Sequence, residues 1–143
     1  MVGEELEMGL YLNPGNEGFK TILNSMYVDK TGVIDIINNT LGSTDKLTCI
    51  SRPRRFGKSY TAKVLCAYYD CTCNDSKVLF NQFKIASCSS YEKYLGKYNV
   101  IYIDVTGFIS KSDNKESIVD EIRDSVKEEM LMAFPFLNSD NAL

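Results

Sequence analysis

The sequence predicts an α/β fold in which helices flank a parallel β-sheet. A β-type run over 46–51 is followed by an arginine-rich loop and then by a helical run over 60–69. A second strand is predicted over 99–105, where apolar residues run without alternation, as they do in strands buried on both faces. Strands that alternate with helices are typical of parallel sheets, and the loop would lie at the carboxyl end of the first strand.

The N-terminal part supplies a lead-in and one helix. Residues 1–26 are predicted to be irregular, because the Asn-Pro-Gly-Asn run at 13–16 is a strong turn signal. A helix is predicted over 31–41 with Thr31 as its cap, since apolar residues recur on one face. A loop over 42–45 then leads into the first strand.

The signals are weaker between the loop helix and the second strand. Residues 71–76 form a polar break. The run 78–85 is apolar at mixed spacing, so helix and strand both remain open. A short helix is predicted over 90–97, and a loop over 107–114 follows the second strand.

The last predicted helix is amphipathic. Its apolar stripe consists of Ile118, Ile122, Val126 and Met130. Asp113 and Glu116 have the spacing of a capping box, and the helix is expected to end before Pro135. Its acidic side chains are expected to form a solvated face: Asp120, Glu121, Asp124, Glu128 and Glu129.

The segment 52–59 carries the clearest functional signal. It matches the phosphate-loop pattern G-x-x-x-x-G-K-[ST] at every position except the first, where Arg52 replaces glycine. Such a loop presents backbone N–H groups to phosphate, and Gly57 lets the backbone approach closely. Lys58 is expected to reach the β- and γ-phosphates, and Ser59 to ligate Mg²⁺.

This pattern predicts a site for Mg·ATP. The expected nucleotide-binding residues are Arg54, Arg55, Phe56, Gly57, Lys58, Ser59 and Tyr60. The alternative interpretation is a basic surface turn before a helix, in which the lysine and serine are incidental. GTP is disfavoured as the ligand, because the sequence has no N-K-x-D motif for guanine.

Asp104 is a second candidate for the metal. It ends an apolar run downstream of Lys58, as the metal-binding aspartate of a Walker B strand does, and it would hold Mg²⁺ directly or through water. The alternative is an aspartate at the rim of the site that hydrogen-bonds to a neighbouring loop. The sequence leaves both roles open.

Several blocks of the chain, in order, resemble a known family, the bacterial AAA-ATPase-like proteins. Segments 16–20 and 26–32 resemble its opening F…YVDKTG block. Segment 51–59 resembles its RPRRFGKS loop, including the missing first glycine, and segments 79–85 and 98–104 resemble its next two blocks. The resemblance implies a P-loop ATPase, often followed by a nuclease-like domain of the PD-(D/E)xK type.

The resemblance also implies a fold and further site residues. The implied fold is a P-loop NTPase-type three-layer parallel sheet flanked by helices, of which residues 1–143 would be the N-terminal portion. The family's acidic Walker B motif is not in the sequence, so we expect a domain that is incomplete at its C-terminus. Such a domain would expose a strand edge and self-associate. Asp29 and Lys30 are expected near the edge of the nucleotide, and the run ending at Asp104 is not the family's Walker B strand.

Two functions remain open. The first is an ATPase that binds Mg·ATP and hydrolyses it as a conformational switch in the complete protein, this chain alone being inactive. The second is a non-enzymatic module whose arginine-rich loop binds nucleic-acid phosphate or an acidic partner. The salt dependence of binding distinguishes them, because phosphate-backbone binding weakens steeply with salt.

The composition sets further limits. The content of 44% hydrophobic and 24% charged residues is typical of a globular protein. The net charge of −3 disfavours nucleic acid as a partner of the whole surface. No membrane span or signal peptide is visible, so a cytoplasmic location is expected. Of the five cysteines, Cys49 and Cys66 are predicted core residues, and the set is predicted to be free thiols.

Overall fold

The computed structural model describes residues 10–112, 114 and 116–138. The chain forms two compact units: a central unit, Gly15–Val100, and a terminal unit that joins Met1–Pro14 to Ile101–Leu143. The α-helices are α1 (Glu17–Leu23), α2 (Gly32–Asn38), α3 (Lys58–Tyr69), α4 (Ser76–Phe80), α5 (Tyr91–Tyr94), α6 (Val105–Lys111) and α7 (Ile118–Ala133), with 3-10 turns at Lys84–Ser87 and Pro135–Asn138.

The parallel β-sheet is absent from the described part of the chain, so the predicted P-loop NTPase-type three-layer fold is wrong. β-Pairing among the described residues is limited to two isolated bridges, one in each unit. The predicted strand over 46–51 forms no strand, and Leu47 is 89% exposed. In the predicted strand over 99–105, Ile101 forms the isolated bridge with Leu12, and Val105 begins α6. An apolar, β-branched run forms a strand only where a partner supplies backbone pairing and cover for the side chains.

Three of the predicted helices are confirmed. They correspond to α2, α3 and α7, and α7 ends at Ala133, before Pro135. The short helix expected over 90–97 is also present, as α5. The open segment 78–85 is helical at both ends, in α4 and in the first 3-10 turn.

Two helices were not predicted. α1 lies in the supposed irregular lead-in, where it buries Phe19 and Ile22 in the core. α6 occupies most of the supposed loop over 107–114, because the side chain of Asp104 caps it by accepting the N–H of Thr106. Asp113, half of the predicted capping box, lies outside the described residues.

The core of the central unit is dominated by aromatic rings. Phe19, Tyr68 and Phe80 are fully buried, and the Phe19 and Phe80 rings stack with their centroids 5.2 Å apart. Such pairs stabilise a core beyond the area that they bury. α3 packs against α1 and α4, so this core holds the helix that follows the arginine-rich loop.

A buried polar network fixes α2 against α3. Asn38 donates from Nδ2 to the hydroxyls of Tyr68, at 3.2 Å, and Ser90, at 3.0 Å, and its Oδ1 accepts from the Tyr69 hydroxyl at 2.6 Å. The Tyr68 hydroxyl donates to the carbonyl of Tyr91 at 2.6 Å. Burial raises the pKa of Tyr68 to about 12, so the hydroxyl stays a donor at any physiological pH.

In the terminal unit, one carboxylate of α7 joins this helix to residues 10–12. Glu129 accepts the backbone N–H groups of Leu10, Tyr11 and Leu12 at 2.6–2.8 Å. The predicted solvated face of this helix is therefore wrong at Glu129, because three backbone N–H groups take the place that water would have at its carboxylate.

The cysteines divide by environment. All five are free thiols, as predicted. Cys66 is buried, and burial raises the pKa of its thiol to about 11. Cys49 was predicted to be a core residue but is exposed, because its segment is not a buried strand.

No helix among residues 10–112, 114 and 116–138 has both the length and the apolar character that crossing a bilayer requires.

The first prediction concerns the buried hydroxyl of Tyr68. Tyr68→Phe is expected to lower the free energy of unfolding by about 1–2 kcal/mol, because the Tyr91 carbonyl and the Asn38 amide each lose a partner. Tyr60→Phe is the matched control, since Tyr60 is 51% exposed and should change by less than about 0.5 kcal/mol. Urea denaturation measures both; equal effects would contradict the network's role.

Candidate phosphate-binding site

The loop before α3 has two residues in the left-handed region of backbone space. Gly57 has a φ of +79° and precedes the first residue of the helix, where its carbonyl accepts from the N–H and the hydroxyl of Thr61. Glycine adopts this conformation without strain. Arg55 has a φ of +68°, which an L-residue adopts only at a cost of roughly 1 kcal/mol.

Lys58 folds back over this loop. Its Nζ donates to the carbonyl of Arg52 at 2.6 Å, which joins the first residue of α3 to the start of the loop. Ser59 follows in the first turn of α3 and is exposed. The two side chains expected to hold phosphate and metal therefore lie together at the beginning of the helix.

A second lysine reaches the loop from a distant part of the sequence. The Nζ of Lys30 donates to the carbonyl of Phe56 at 3.0 Å. A Cβ on Gly57 would lie 2.9 Å from this amine, so the glycine also makes room for the contact. Lys30 thus contacts the loop at the residue before Gly57.

The position of Lys30 is set by its neighbour Asp29. Asp29 accepts the N–H and the hydroxyl of Thr31 on Oδ1, and the N–H of Lys84 on Oδ2 at 2.8 Å. Partial burial alone would raise the pKa of Asp29, but these hydrogen bonds outweigh it and hold the pKa below its usual value. The carboxylate is therefore charged at neutral pH and ties the turn before α2 to the 3-10 turn at Lys84–Ser87.

Two clefts lie on either side of Phe56, and Lys30 lines both. The first has a volume of about 260 Å³, and its walls are largely apolar, including Tyr27, Tyr60 and Val64. The second has a volume of about 350 Å³ and is cationic, because Arg52 and Lys58 join Lys30 in its lining. Both clefts therefore have cationic side chains in a largely apolar lining, and the second, called the basic cleft below, has three of them where the first has two.

The structure brings most of the predicted site residues together. Arg55, Phe56, Gly57 and Tyr60 line the first cleft, and Phe56 and Lys58 line the second. Arg54 and Ser59 are exposed beside them and line neither of these two clefts.

Asp104 belongs to the terminal unit, where it caps α6. It is exposed, and hydrogen bonds from Thr106 hold the pKa of its carboxyl below the usual value. Its contacts are those of a helix cap, and its metal role stays a prediction. The described residues contain no cluster of three or more histidine, cysteine or acidic side chains that could hold a metal ion.

Sequence reasoning did not propose most of the apolar residues that line the clefts. Tyr27 was not proposed, and Lys30 was placed near the nucleotide only through the family resemblance. The separation of 26 residues between Lys30 and Phe56 leaves no local spacing signal that could have found the contact.

The chain belongs to the AAA-ATPase-like family. The family model, described as a predicted AAA-ATPase, matches residues 15–139, which includes the arginine-rich loop and the segment of Lys30. The resemblance seen in the sequence is thereby confirmed for the family itself, and nucleotide binding is supported in general terms. No similar curated protein and no similar solved structure was found. Bacterial origin and an adjoining nuclease-like domain stay predictions.

The second prediction concerns pH. A folded-state pKa below that of the unfolded chain stabilises the protein fully above the unfolded value of about 3.9, and this contribution is lost as the pH falls through the lower folded pKa. The stability difference between wild type and Asp29→Asn is therefore expected to be constant near neutrality and to shrink below about pH 4. Asp45→Asn is the control, because that carboxylate accepts no hydrogen bond from a described residue. Urea denaturation at pH values from 7 to 3 measures the stability of both variants. The same pH dependence in Asp29→Asn and Asp45→Asn would contradict the role of Asp29.

Proposed function

We propose that this chain binds Mg·ATP through residues 54–59, a variant Walker A loop. The observation that carries the proposal is the position of Lys58, which follows the left-handed Gly57 and folds its amine back over the loop. Membership of a family described as ATPases supports the same ligand. A backbone N–H nest with a lysine beside it is suited to the β- and γ-phosphates of a nucleotide.

The metal would be held mostly by the ligand. Mg²⁺ prefers oxygen ligands and keeps several waters, with phosphate oxygens filling much of its shell. Ser59 offers an exposed hydroxyl in the first turn of α3. This donor set fits a magnesium ion that arrives with the triphosphate rather than one held by the protein alone.

The proposal covers binding rather than turnover by this chain. Hydrolysis needs a group that orients the attacking water. The described residues that line the two clefts include no carboxylate, although they include Lys30, Arg52, Arg55 and Lys58. We therefore expect slow or negligible ATP hydrolysis from these residues alone.

A second candidate function follows from the exposed arginines. Arg52, Arg54 and Arg55 take part in none of the ion pairs that the described residues form, so they are available to phosphate of any kind. Binding of a nucleic-acid backbone would weaken steeply as salt rises and would not need Mg²⁺.

The third prediction tests the loop lysine. Lys58→Ala is expected to weaken Mg·ATP binding at least about 10-fold, because a charge-assisted hydrogen bond to phosphate is lost. Lys63→Ala is the matched control, since it removes the same charge from an exposed position on the same helix. Isothermal titration calorimetry at two salt concentrations measures the affinities. Equal affinity of wild type and Lys58→Ala would overturn the proposal, and steep salt dependence without a need for Mg²⁺ would favour the nucleic-acid function.

The fourth prediction uses two glycines with the same backbone conformation. Gly57→Ala and Gly42→Ala are each expected to cost about 1 kcal/mol of stability, because both glycines have a φ of +79°. Only Gly57→Ala should also weaken Mg·ATP binding, since its Cβ would crowd the loop where the backbone is expected to approach phosphate, 2.9 Å from the amine of Lys30, whereas nothing lies within 4 Å of a Cβ at Gly42. Calorimetry and urea denaturation check the pair; a binding loss in Gly42→Ala would show that strain alone explains the effect.

A further inference from the structure

Lys30 carries a positive charge that no described carboxylate balances. Its amine faces the carbonyl of Phe56, a neutral acceptor, at 3.0 Å. None of the ion pairs within 4.0 Å that the described residues form includes Lys30. A carbonyl does not neutralise the charge of the lysine that donates to it, whereas the carboxylate of a surface ion pair does.

Lys30 forms no ion pair with the adjacent carboxylate of Asp29. Both oxygens of Asp29 are already engaged, by Thr31 on one side and by Lys84 on the other. The same bonds fix the backbone on which Lys30 lies, and its own N–H donates to the hydroxyl of Tyr27 at 3.3 Å. The amine is therefore held at the loop by a fixed backbone and remains outside any ion pair of the described residues.

Lys30 shares this state with Lys58. Both amines donate to loop carbonyls, those of Phe56 and Arg52, and both line the basic cleft. Phosphate oxygens carry negative charge and the carbonyl oxygens do not, so an anion in this cleft adds a Coulombic attraction to the two amines that the carbonyls cannot offer. Three cationic side chains around a cleft with no carboxylate in its described lining suit a ligand with several negative charges.

We propose that Lys30 is a second phosphate-binding lysine of this site and that its ligand is a polyphosphate chain, such as the tail of a nucleoside triphosphate. In the free protein the amine donates to the carbonyl of Phe56. When a polyphosphate binds, the amine donates to its phosphate oxygens instead. This inference rests on the proposed function and deepens it, because it adds a cation from outside the arginine-rich loop.

The test compares Mg·ATP with inorganic tripolyphosphate as calorimetric ligands. Lys30→Gln keeps a hydrogen-bond donor without the charge and is expected to weaken binding of both ligands about 10-fold. Lys30→Arg keeps the charge and should recover much of the affinity. Lys63→Gln is the control for loss of one positive charge from the same unit and should bind as wild type does. Thermal unfolding should be unchanged in every variant, because these side chains are exposed.

The possible results separate this inference from the proposed function. If wild type binds Mg·ATP and Lys58→Ala loses it, but Lys30→Gln binds as wild type does, the inference is overturned and the proposed function stands. If wild type binds tripolyphosphate in a manner that depends on Lys30 but does not bind Mg·ATP, the inference stands and the proposed function fails. If wild type binds neither ligand, both are overturned. A binding loss in Lys30→Gln accompanied by an equal loss in Lys63→Gln would show a general charge effect and overturn the inference.

Discussion

The carboxylate of Asp29 is the contact on which the geometry around the loop depends. Its hydrogen bonds to Thr31 and Lys84 join the start of α2 to the 3-10 turn at Lys84–Ser87, and the hydroxyl of Thr31 adds a bond from the N–H of Ile85. Ile85 is fully buried in the central core, so the turn that carries Lys30 is anchored to well-packed residues. The amine therefore reaches an exposed loop from a rigid base, which is how a binding group is held in place at a surface.

The distribution of acceptors explains why the loop stays basic in an acidic chain. The net charge is −3, yet every carboxylate of the central unit except that of Asp45 accepts a hydrogen bond or forms an ion pair away from the loop. Asp70 accepts from Gly15 and Thr72, and Asp75 pairs with Lys20. The cations near the loop are left with carbonyl partners only, so the local field is positive whatever the net charge.

The sequence predicted several of the helices, which depend on neighbouring residues. It did not predict the structure that depends on pairing between distant segments. The stripe of Ile118 and Ile122 and the run after Lys58 indicated helices because a helix is stabilised by contacts within four residues. The segments 46–51 and 99–105 indicated strands, but a strand needs a partner that sequence patterns do not specify. Among the described residues the pairing of these segments is limited to the bridge between Ile101 and Leu12. The contact of Lys30 with the loop is non-local in the same sense, and composition or spacing could not have revealed it.

The shape of the loop depends on fewer distant contacts than the fold does, because it is made largely by neighbouring residues. The bond from Lys58 to the carbonyl of Arg52 spans six residues, and Gly57 needs only its own backbone freedom and the donors of Thr61. The helix behind the loop is held by Val64, Ala67 and Tyr68, which lie in the core of the central unit. A turn shaped by its own residues and anchored by one packed helix keeps its form without a sheet beneath it. The absence of the predicted sheet from the described residues therefore changes the fold class, and the contacts of Lys58 and Lys30 with the loop carbonyls do not depend on that sheet.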